Sequence, residues 1–275
     1  MWDCHVHVFG PFDRYPLDPN RLYTPARADC DALEVHLAHV DAARVTIVQP
    51  SPYASDHRCL LAALERLGSR ARGIAAWQPD AAPPAHRAIV GLRVHVRATA
   101  DPLASLALAG RAAADAGRHL EVQGGAPPLD TYADALARLA CPIVLDHLAG
   151  LGGRNDSPAA LDALARLLDT GRVWVKYSAP YRASGMLAHF VERARWIHAR
   201  HSERLMWGSD WPHTPSHPAN AAARMQPSAF RQEDARASRA EMLAPFETAA
   251  RAAITGANAA LLYGERSENG IATRR

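Results

Sequence analysis

Lysine is almost absent from this chain of 275 residues. Lys176 is the only one, so the other 30 of the 31 basic side chains are arginines. The formal net charge is only +3, and the arginines are spread along the whole chain instead of forming one cluster. Nucleic-acid-binding surfaces depend on clustered basic residues. We therefore expect neither DNA nor RNA as a partner.

Cysteines and long apolar runs are also scarce. The four cysteines show no paired spacing, which favours reduced thiols over a disulfide framework or a zinc knuckle: Cys4, Cys30, Cys59 and Cys141. No apolar run is long enough to span a bilayer, and the first residues lack the charged, apolar and small-residue segments of a signal peptide. We expect a cytoplasmic protein that does not bind membranes.

A glycine-rich phosphate-binding turn is missing as well. The first predicted strand runs into Phe9-Gly10-Pro11-Phe12, which does not match the dinucleotide-binding pattern. A doubly wound sheet is therefore the less favoured α/β architecture. The length and the 48% hydrophobic content are sufficient for one large core. We expect a single domain over residues 1–263, followed by a polar tail over 264–275.

Short β-branched runs alternate with segments that are rich in alanine and leucine at helical spacing. Strands are predicted at 2–8, 44–49, 72–78, 90–96, 119–123, 142–147, 172–178 and 204–210. Helices are predicted at 31–42, 57–68, 104–117, 129–139, 158–170, 186–201 and 236–255. The connection between the third and fourth strands contains Pro83-Pro84, so its helix should be stunted. Eight alternating units in this length predict a somewhat distorted (β/α)8 barrel of the TIM type.

The C-terminal ends of the predicted strands are unusually polar. His5 and His7 lie on one side of the first strand, because side chains alternate along a strand. Such groups are costly to gather unless they meet a substrate or a metal. The other polar residues at these ends are Gln49, Gln78, Arg93, His95, Arg97, Gln123, Asp146, His147, Lys176, Ser178, Tyr181, Arg182, Ser209, Asp210 and His213.

Three of these motifs carry a resemblance to a known family. Asp3-Cys4-His5-Val6-His7, Asp146-His147 after an aliphatic strand, and the block Trp207–His213 resemble the amidohydrolase superfamily (amidohydrolase 2 family). Within it, the chain is similar to the 2-pyrone-4,6-dicarboxylate lactonase-like group, and the resemblance covers nearly all eight units. It implies a hydrolase that opens a lactone ring. Further matches are Tyr23-Thr24-Pro25, Val48–Ser51, Gly91–Arg93, Val173–Lys176 and Tyr181-Arg182.

Lactone hydrolysis requires a base for water and donors for the developing oxyanion. The resemblance gives Asp210 the first role and His5, His7 and His147 the second. Arg93 and Arg182 are the expected clamps for a substrate carboxylate, because guanidinium presents a planar fork of donors. Further expected substrate contacts are Tyr23, Ser178, Arg97 and Gln123.

A metal is the main alternative in this interpretation. The wider superfamily often binds divalent metals through the His-x-His pair, and a carboxylated lysine on strand four frequently bridges two of them. Strand four here offers Arg93 and His95, and strand five Gln123, so a bridged pair is not expected. The lactonase-like group works without a metal and arginines would repel a cation, so the expected cofactor is none. The alternative is one zinc or manganese on His5, His7 and Asp210, with His147 as a fourth group.

Two departures from the lactonase-like pattern bear on the substrate. Gly150 replaces an arginine in the turn after strand six, and Gln123 replaces a tyrosine. The expected substrate is therefore an acidic lactone from aromatic or sugar-acid catabolism, without commitment to a dicarboxylate. The alternatives are a metal-dependent hydrolase or decarboxylase of a small carboxylic acid, and a non-catalytic binding protein. Homo-oligomerisation stays open, and the 214–231 loop is expected to form a wall or lid.

Overall fold

Eight parallel strands form a barrel whose sheet order follows the chain. The structure, a computed structural model, describes residues 1–79, 82–96, 99–123, 127–153, 155–183, 186–215 and 220–264. Nearly every strand residue is buried, as expected for a parallel sheet covered by helices. The strands are β1 (Trp2–Val6), β2 (Arg44–Val48), β3 (Ala71–Ala76), β4 (Ile89–Val94), β5 (His119–Val122), β6 (Ile143–Leu145), β7 (Val173–Ser178) and β8 (Leu205–Gly208).

Helices surround the barrel and cover it with their apolar faces. Several helices begin directly after a residue whose side chain accepts a hydrogen bond from a backbone N–H of the first turn. These capping residues are Asp29, Asp101, Ser157 and Asp234. They are α1 (Cys30–His39), α2 (Arg58–Leu67), α3 (Pro102–Asp115), α4 (Ala133–Ala137), α5 (Pro158–Asp169), α6 (Leu187–Arg200), α7 (Ala221–Arg224), α8 (Ala235–Leu243), α9 (Thr248–Ala252) and α10 (Asn258–Tyr263). A π-helical turn, Ala253–Ala257, joins the last two, and Thr24–Pro25 pairs with Pro227–Ser228.

The predicted barrel is confirmed, and all eight predicted strands overlap the observed ones. The stunted connection is observed too, because the described residues 82–88 between β3 and β4 form no helix. The helix predicted over 236–255 is wrong, since it divides into α8 and α9. Pro245 explains the break, because proline has no N–H and its ring clashes with the preceding turn.

The barrel closes between β1 and the end of β8, at the residues that matter most for the site. The backbone N–H of Asp210 donates to the His5 carbonyl at 2.9 Å, and His7 N–H donates to the Trp211 carbonyl at 2.8 Å. Beside this seam, the Asp3 carboxylate accepts a hydrogen bond from Ser209 N–H at 2.9 Å. It also contacts His36 Nε2 of α1 at 3.1 Å. The segment that carries His5 and His7 is thereby fixed to Ser209, the residue before Asp210.

A bulge in β1 directs its histidines. Asp3 lies opposite Val45 and Val6 opposite Ile47, so β1 contains one residue more than its partner over this stretch. Cys4 and His5 both lie within the bulge and are fully buried. Cys4 packs among buried apolar residues that include Tyr263 of α10. The ring of His5 stands beside that of His7, with centroids 5.0 Å apart.

Two of the predicted segments extend beyond the described residues. Residues 216–219 of the expected wall or lid, and residues 265–275 of the polar tail, lie outside the described residues. The end of the loop is described: Arg231 N–H donates to the His213 carbonyl at 2.9 Å, and Phe230 stacks on Phe9 with centroids 5.8 Å apart. Among the helices of the described ranges, none combines the length and the apolar character needed to cross a membrane.

Candidate active site

Three imidazoles converge on one carboxylate oxygen at the C-terminal end of the barrel. The Nε2 atoms of His5, His7 and His147 lie 3.4, 3.5 and 3.9 Å from Oδ1 of Asp210. All four side chains are buried. β1 supplies His5, the segment directly after β1 supplies His7, the turn after β6 supplies His147, and the turn after β8 supplies Asp210. The structure therefore brings together the four residues that the sequence singled out.

Each histidine ring is oriented through its other nitrogen. His7 Nδ1 lies 2.7 Å from the Val48 carbonyl, which only accepts, so this nitrogen carries a proton and donates it to the carbonyl. His147 Nδ1 lies 2.8 Å from the Ser178 hydroxyl. His5 Nδ1 has two neighbours, Lys176 Nζ at 3.1 Å and Asp146 Oδ1 at 3.2 Å. All three Nε2 atoms therefore face the centre of the site.

The turns that carry His147 and Asp210 have strained backbones. His147 has φ +51° and Asp210 has φ +61°, in the left-handed region that residues with a Cβ rarely adopt. Such conformations cost free energy and persist where the surrounding structure enforces them, often at active sites. For Asp210 the enforcing contact is its backbone hydrogen bond to His5 at the barrel seam.

The second oxygen of Asp210 is held by the loop after β7. Oδ2 accepts hydrogen bonds from the Tyr181 hydroxyl at 2.5 Å and from the Arg182 guanidinium at 3.1 and 3.2 Å. Burial raises the pKa of Asp210, but Arg182 and the neighbouring histidines lower it further, so its pKa lies well below the usual range. Asp210 is therefore an anion. The sequence placed Tyr181 at this end of the barrel without giving it a role.

Burial also determines the charge of the histidines. It lowers the pKa of His147 to about 4, although the nearby carboxylates of Asp210 and Asp146 oppose the shift. Burial and then Lys176 hold the pKa of His5 well below its usual value. Both rings are consequently neutral near pH 7. A neutral imidazole is the form that binds a metal ion.

A buried layer of ion pairs lies beneath the histidines. Lys176 Nζ contacts Glu121 Oε2 at 2.5 Å and Asp146 Oδ1 at 3.5 Å. The other Asp146 oxygen, Oδ2, accepts a hydrogen bond from Arg93 at 2.8 Å. Sequence reasoning missed Glu121, which precedes the predicted site residue Gln123 by two positions on the same face of β5. Because side chains on a strand alternate with a period of two, the position of Gln123 could have predicted Glu121 as a site residue.

The side chains predicted to contact the substrate differ in how exposed they are. The Arg182 side chain is 33% exposed, whereas that of Arg93 is 3% exposed and paired with Asp146. Ser178 is buried against His147, and Tyr23 is buried with Arg182 and Arg93 as its charged neighbours. Gln123 is half-buried after β5. Arg97 lies outside the described residues.

The central cluster has the chemistry of a cation site. Among the described groups, His5 Nε2 and Asp210 Oδ1 are buried without a hydrogen-bond partner, which is costly for polar atoms. Ligand atoms of His5, His7 and Asp210 all lie within 4.8 Å of one another, and so do those of His5, Asp146 and His147. A divalent ion between the first three would satisfy both unpartnered atoms. Nitrogen and carboxylate ligands of this kind suit zinc.

Comparisons with known proteins place the chain in a family. The family model described as Amidohydrolase matches residues 2–264. This chain belongs to the amidohydrolase family. The amidohydrolase fold is shared with the structure of an Agrobacterium tumefaciens protein at a TM-score of 0.77 and 23% identity, covering 96% of each chain. Because the family is enzymatic, the protein is an enzyme.

Two curated relatives of this amidohydrolase are named as hydrolases. It is 30% identical over 237 residues to 2-pyrone-4,6-dicarboxylate hydrolase of Comamonas testosteroni, covering 77% of this chain and 76% of the relative. It is 26% identical over 234 residues to 4-sulfomuconolactone hydrolase of Hydrogenophaga intermedia, covering 78% and 75%. The resemblance seen in the sequence motifs is confirmed.

The expectation of a metal-free site is wrong. The structure assembles two sets of three candidate metal ligands, and the fold is shared with the phosphotriesterase homology protein of Escherichia coli and with organophosphorus hydrolase, at TM-scores of 0.57 and 0.59. The argument from repulsion by arginines fails for a physical reason. Arg93 is neutralised by Asp146 and Arg182 by Asp210, so neither presents an uncompensated charge to a cation.

Proposed function

We propose that this amidohydrolase opens the ring of an acidic lactone by hydrolysis, with one divalent metal held by His5, His7 and Asp210. The observation that carries the proposal is the convergence of three buried imidazoles on Oδ1 of an ionised aspartate. The named activities of the two curated relatives support the choice of a lactone. Their substrates are a pyrone dicarboxylate and a sulfonated lactone, both of them anionic.

The metal, when bound, would supply a Lewis acid for the lactone carbonyl and a lowered pKa for bound water. Asp210 receives a proton from the attacking water, since it is ionised and lies at the centre of the site. Tyr181 and Arg182 hold its Oδ2 and so aim the carboxylate. Because these partners stabilise the anion, Asp210 is a weak base.

His147 contributes a hydrogen bond to the oxygen that becomes negative. When the Ser178 hydroxyl donates to Nδ1, the proton of the neutral ring lies on Nε2, which faces the site. A preorganised donor of this kind typically contributes about 3 kcal/mol to lowering the barrier. The ring stays neutral near pH 7 because burial lowers its pKa to about 4.

The substrate carboxylate binds to guanidinium groups in this proposal. Arg182 is the more accessible clamp, because a third of its side chain is exposed while it also holds Asp210. Arg93 acts from a deeper position, where it stays paired with Asp146. Further contacts are assigned to Tyr23, Ser178, Gln123 and Arg97. A small anionic molecule is the partner that this site recognises.

The test combines metal analysis with a panel of lactones. Purified protein would be assayed with 2-pyrone-4,6-dicarboxylate, 4-sulfomuconolactone and the neutral methyl esters of acidic lactones, while ring opening and carbon dioxide release are followed separately. We expect ring opening of an acidic lactone, weaker activity on its ester, loss of activity after chelation and recovery with zinc or manganese. Carbon dioxide release without ring opening, or activity that survives complete metal removal, would contradict the proposal.

Two histidine variants provide the matched comparison. His7→Asn removes a proposed ligand, and we expect it to reduce bound metal to well below one ion per chain. His39→Asn changes a half-exposed histidine that contacts Asp234 on the surface, and it should retain both metal and activity. Equal metal content in the two variants would exclude His7 as a ligand.

A further inference from the structure

His36 is a buried histidine on α1, a helix that covers the outside of the barrel. Its side chain is 6% exposed, and its Nε2 lies 3.1 Å from Asp3 Oδ2 and 3.1 Å from Ser209 Oγ. Its ring stacks on that of Trp211, with centroids 5.4 Å apart. These contacts reach both sides of the seam between β1 and the end of β8, at the two residues that flank Asp210.

Asp3 extends the contact of His36 to the first histidine of the site. Its other oxygen, Oδ1, accepts hydrogen bonds from the backbone N–H of Ser209 at 2.9 Å and from that of His5 at 3.3 Å. The side chain is fully buried, where a carboxylate is costly unless it is hydrogen-bonded. Asp3 therefore links the backbone of β1 to the backbone at the end of β8, and His36 holds its second oxygen.

Ser209 extends the contact to the other side of Asp210. Its Oγ accepts a hydrogen bond from the backbone N–H of Trp211 at 3.0 Å, beside the contact with His36. The backbone N–H groups before and after Asp210 are thus both held by side chains that His36 contacts. Asp210 itself has φ +61°, a conformation that persists only where surrounding contacts enforce it.

Serine, histidine and aspartate also form the triads of hydrolytic enzymes, but the arrangement here differs in geometry. In a triad the serine and the aspartate contact opposite nitrogens of the imidazole. Ser209 and Asp3 both contact Nε2 of His36, and Ser209 is buried. The three side chains therefore suit the support of a neighbouring residue and do not form a nucleophile with its base.

We propose that His36 is a positioning residue that fixes the turn of Asp210 relative to His5. It acts through Asp3 and Ser209, whose contacts reach the backbone on both sides of that turn. A misplacement of about 1 Å, caused by a substitution far from the chemistry, can lower a rate about 100-fold. The inference rests on the proposed function and adds to it a residue of α1 that controls the geometry of the site.

Two substitutions of His36 test the proposal kinetically. His36→Leu removes both polar contacts, and we expect kcat on the acidic lactone to fall about 10- to 100-fold while KM changes little. The side-chain amide of His36→Gln can place an N–H donor where Nε2 lies, so this variant should recover a large part of kcat. A His36→Gln enzyme as slow as His36→Leu, or a loss confined to KM, would contradict the proposal.

Leu37→Ala separates positioning from stability. Leu37 follows His36 on α1, is buried in the apolar core and has no polar side-chain atom, so its truncation destabilises the fold by leaving a cavity. A merely structural role for His36 predicts that both variants keep kcat wherever urea unfolding shows them to be folded. We expect Leu37→Ala to keep kcat and His36→Leu to lose it. Equal kcat values for the two folded variants would refute the proposal.

Hydrogen exchange tests the same contacts without a substrate. The backbone amides of Ser209 and Trp211 should exchange faster in His36→Leu than in the unmodified protein, and His36→Gln should restore their protection. If His36→Leu does not fold, Ser209→Ala replaces it and should show faster exchange at Trp211. Unchanged exchange in the folded variant would overturn the proposal. If the unmodified protein opens no lactone, the proposed function fails, while exchange still decides whether His36 holds the turn.

Discussion

Asp210 combines three properties that rarely occur in one residue. It is fully buried, it has a left-handed backbone, and its two carboxylate oxygens have different surroundings. Oδ2 is held by Tyr181 and Arg182, whereas Oδ1 faces the Nε2 atoms of three histidines. Oδ1 is therefore available to the reaction centre, whereas the contacts of Oδ2 orient the carboxylate. The proposed function therefore depends strongly on this single residue.

Replacing Asp210 tests its assigned role. Asp210→Asn keeps the size of the side chain but removes the charge that binds a cation and accepts a proton. We expect kcat to fall at least about 100-fold. Steady-state kinetics on the acidic lactone of the proposed test would measure this loss. Asp162→Asn, on the exposed face of α5, is the control and should keep full activity. An Asp210→Asn enzyme with more than a few per cent of normal turnover would sink the assignment.

His147 predicts a specific pH dependence of stability. Burial lowers its folded-state pKa from 6.5 to about 4, so the unfolded chain binds more protons between these values. The stability that depends on the neutral ring is present above pH 6.5 and is lost as the pH falls toward 4. Relative to a His147→Gln variant, the unmodified protein should lose up to about 1.4 kcal/mol per pH unit in this window. Urea unfolding of both proteins without metal would show it, and a difference that is constant with pH would contradict it.

At the scale of elements, close packing between β4 and β5 supports the floor of the site. Gly91 on β4 leaves room for the ring of His119 on β5, which in turn lies tilted against the ring of Tyr263 of α10, with centroids 5.6 Å apart. A Cβ at position 91 would lie 2.2 Å from His119 Nε2. Arg93 and Glu121 follow two residues later on the same strands. A side chain at Gly91 would therefore disturb the layer beneath the ion pairs.

The Gly91→Ala variant should be destabilised by overpacking. The alanine methyl must displace a buried ring, which costs about 1 to 3 kcal/mol in the free energy of unfolding. The matched control is Gly256→Ala in the π-helical turn, where a Cβ would meet nothing within 4 Å. Urea unfolding of the two variants would separate steric overlap from a general effect of replacing glycine. Equal stabilities would contradict the packing argument.

At the scale of the whole molecule, the barrel joins distant parts of the chain at one site. Of the proposed ligands, His5 and His7 lie at the end of the first strand, whereas Asp210 lies in the turn after the last strand. Because an unfolded chain cannot hold these ligands together, a metal that binds here stabilises only the folded state. Folding and metal binding are therefore coupled.

Zinc should consequently raise the midpoint of thermal unfolding. At a free zinc concentration of about 100 times Kd, binding adds about 2.7 kcal/mol of stability. For a domain of this size, that corresponds to a shift of about 5 to 10 °C. Scanning calorimetry of chelated protein with and without zinc would measure it. His39→Asn should shift like the unmodified protein, whereas His7→Asn should not, and equal shifts in both would exclude this site.

The sequence by itself determined the barrel and most of the residues at its C-terminal end. Strand and helix periodicity depend on local alternation of apolar residues, so all eight strands could be read from the chain. The motifs around His5, His147 and Asp210 pointed to the amidohydrolase family. The local apolar pattern gave a wrong prediction near Pro245, because this single residue divides the long helix that the pattern predicted.

Only the tertiary structure decided how the charges pair and what cofactor the site suits. The sequence showed arginines near the histidines, and a metal-free site was expected from the resemblance to the lactonase-like group and from repulsion of a cation by these arginines. In the folded chain they are neutralised by Asp146 and Asp210, which follow the ends of other barrel strands. Pairing and ring orientation depend on distances between residues far apart in the chain, and no local pattern contains those distances.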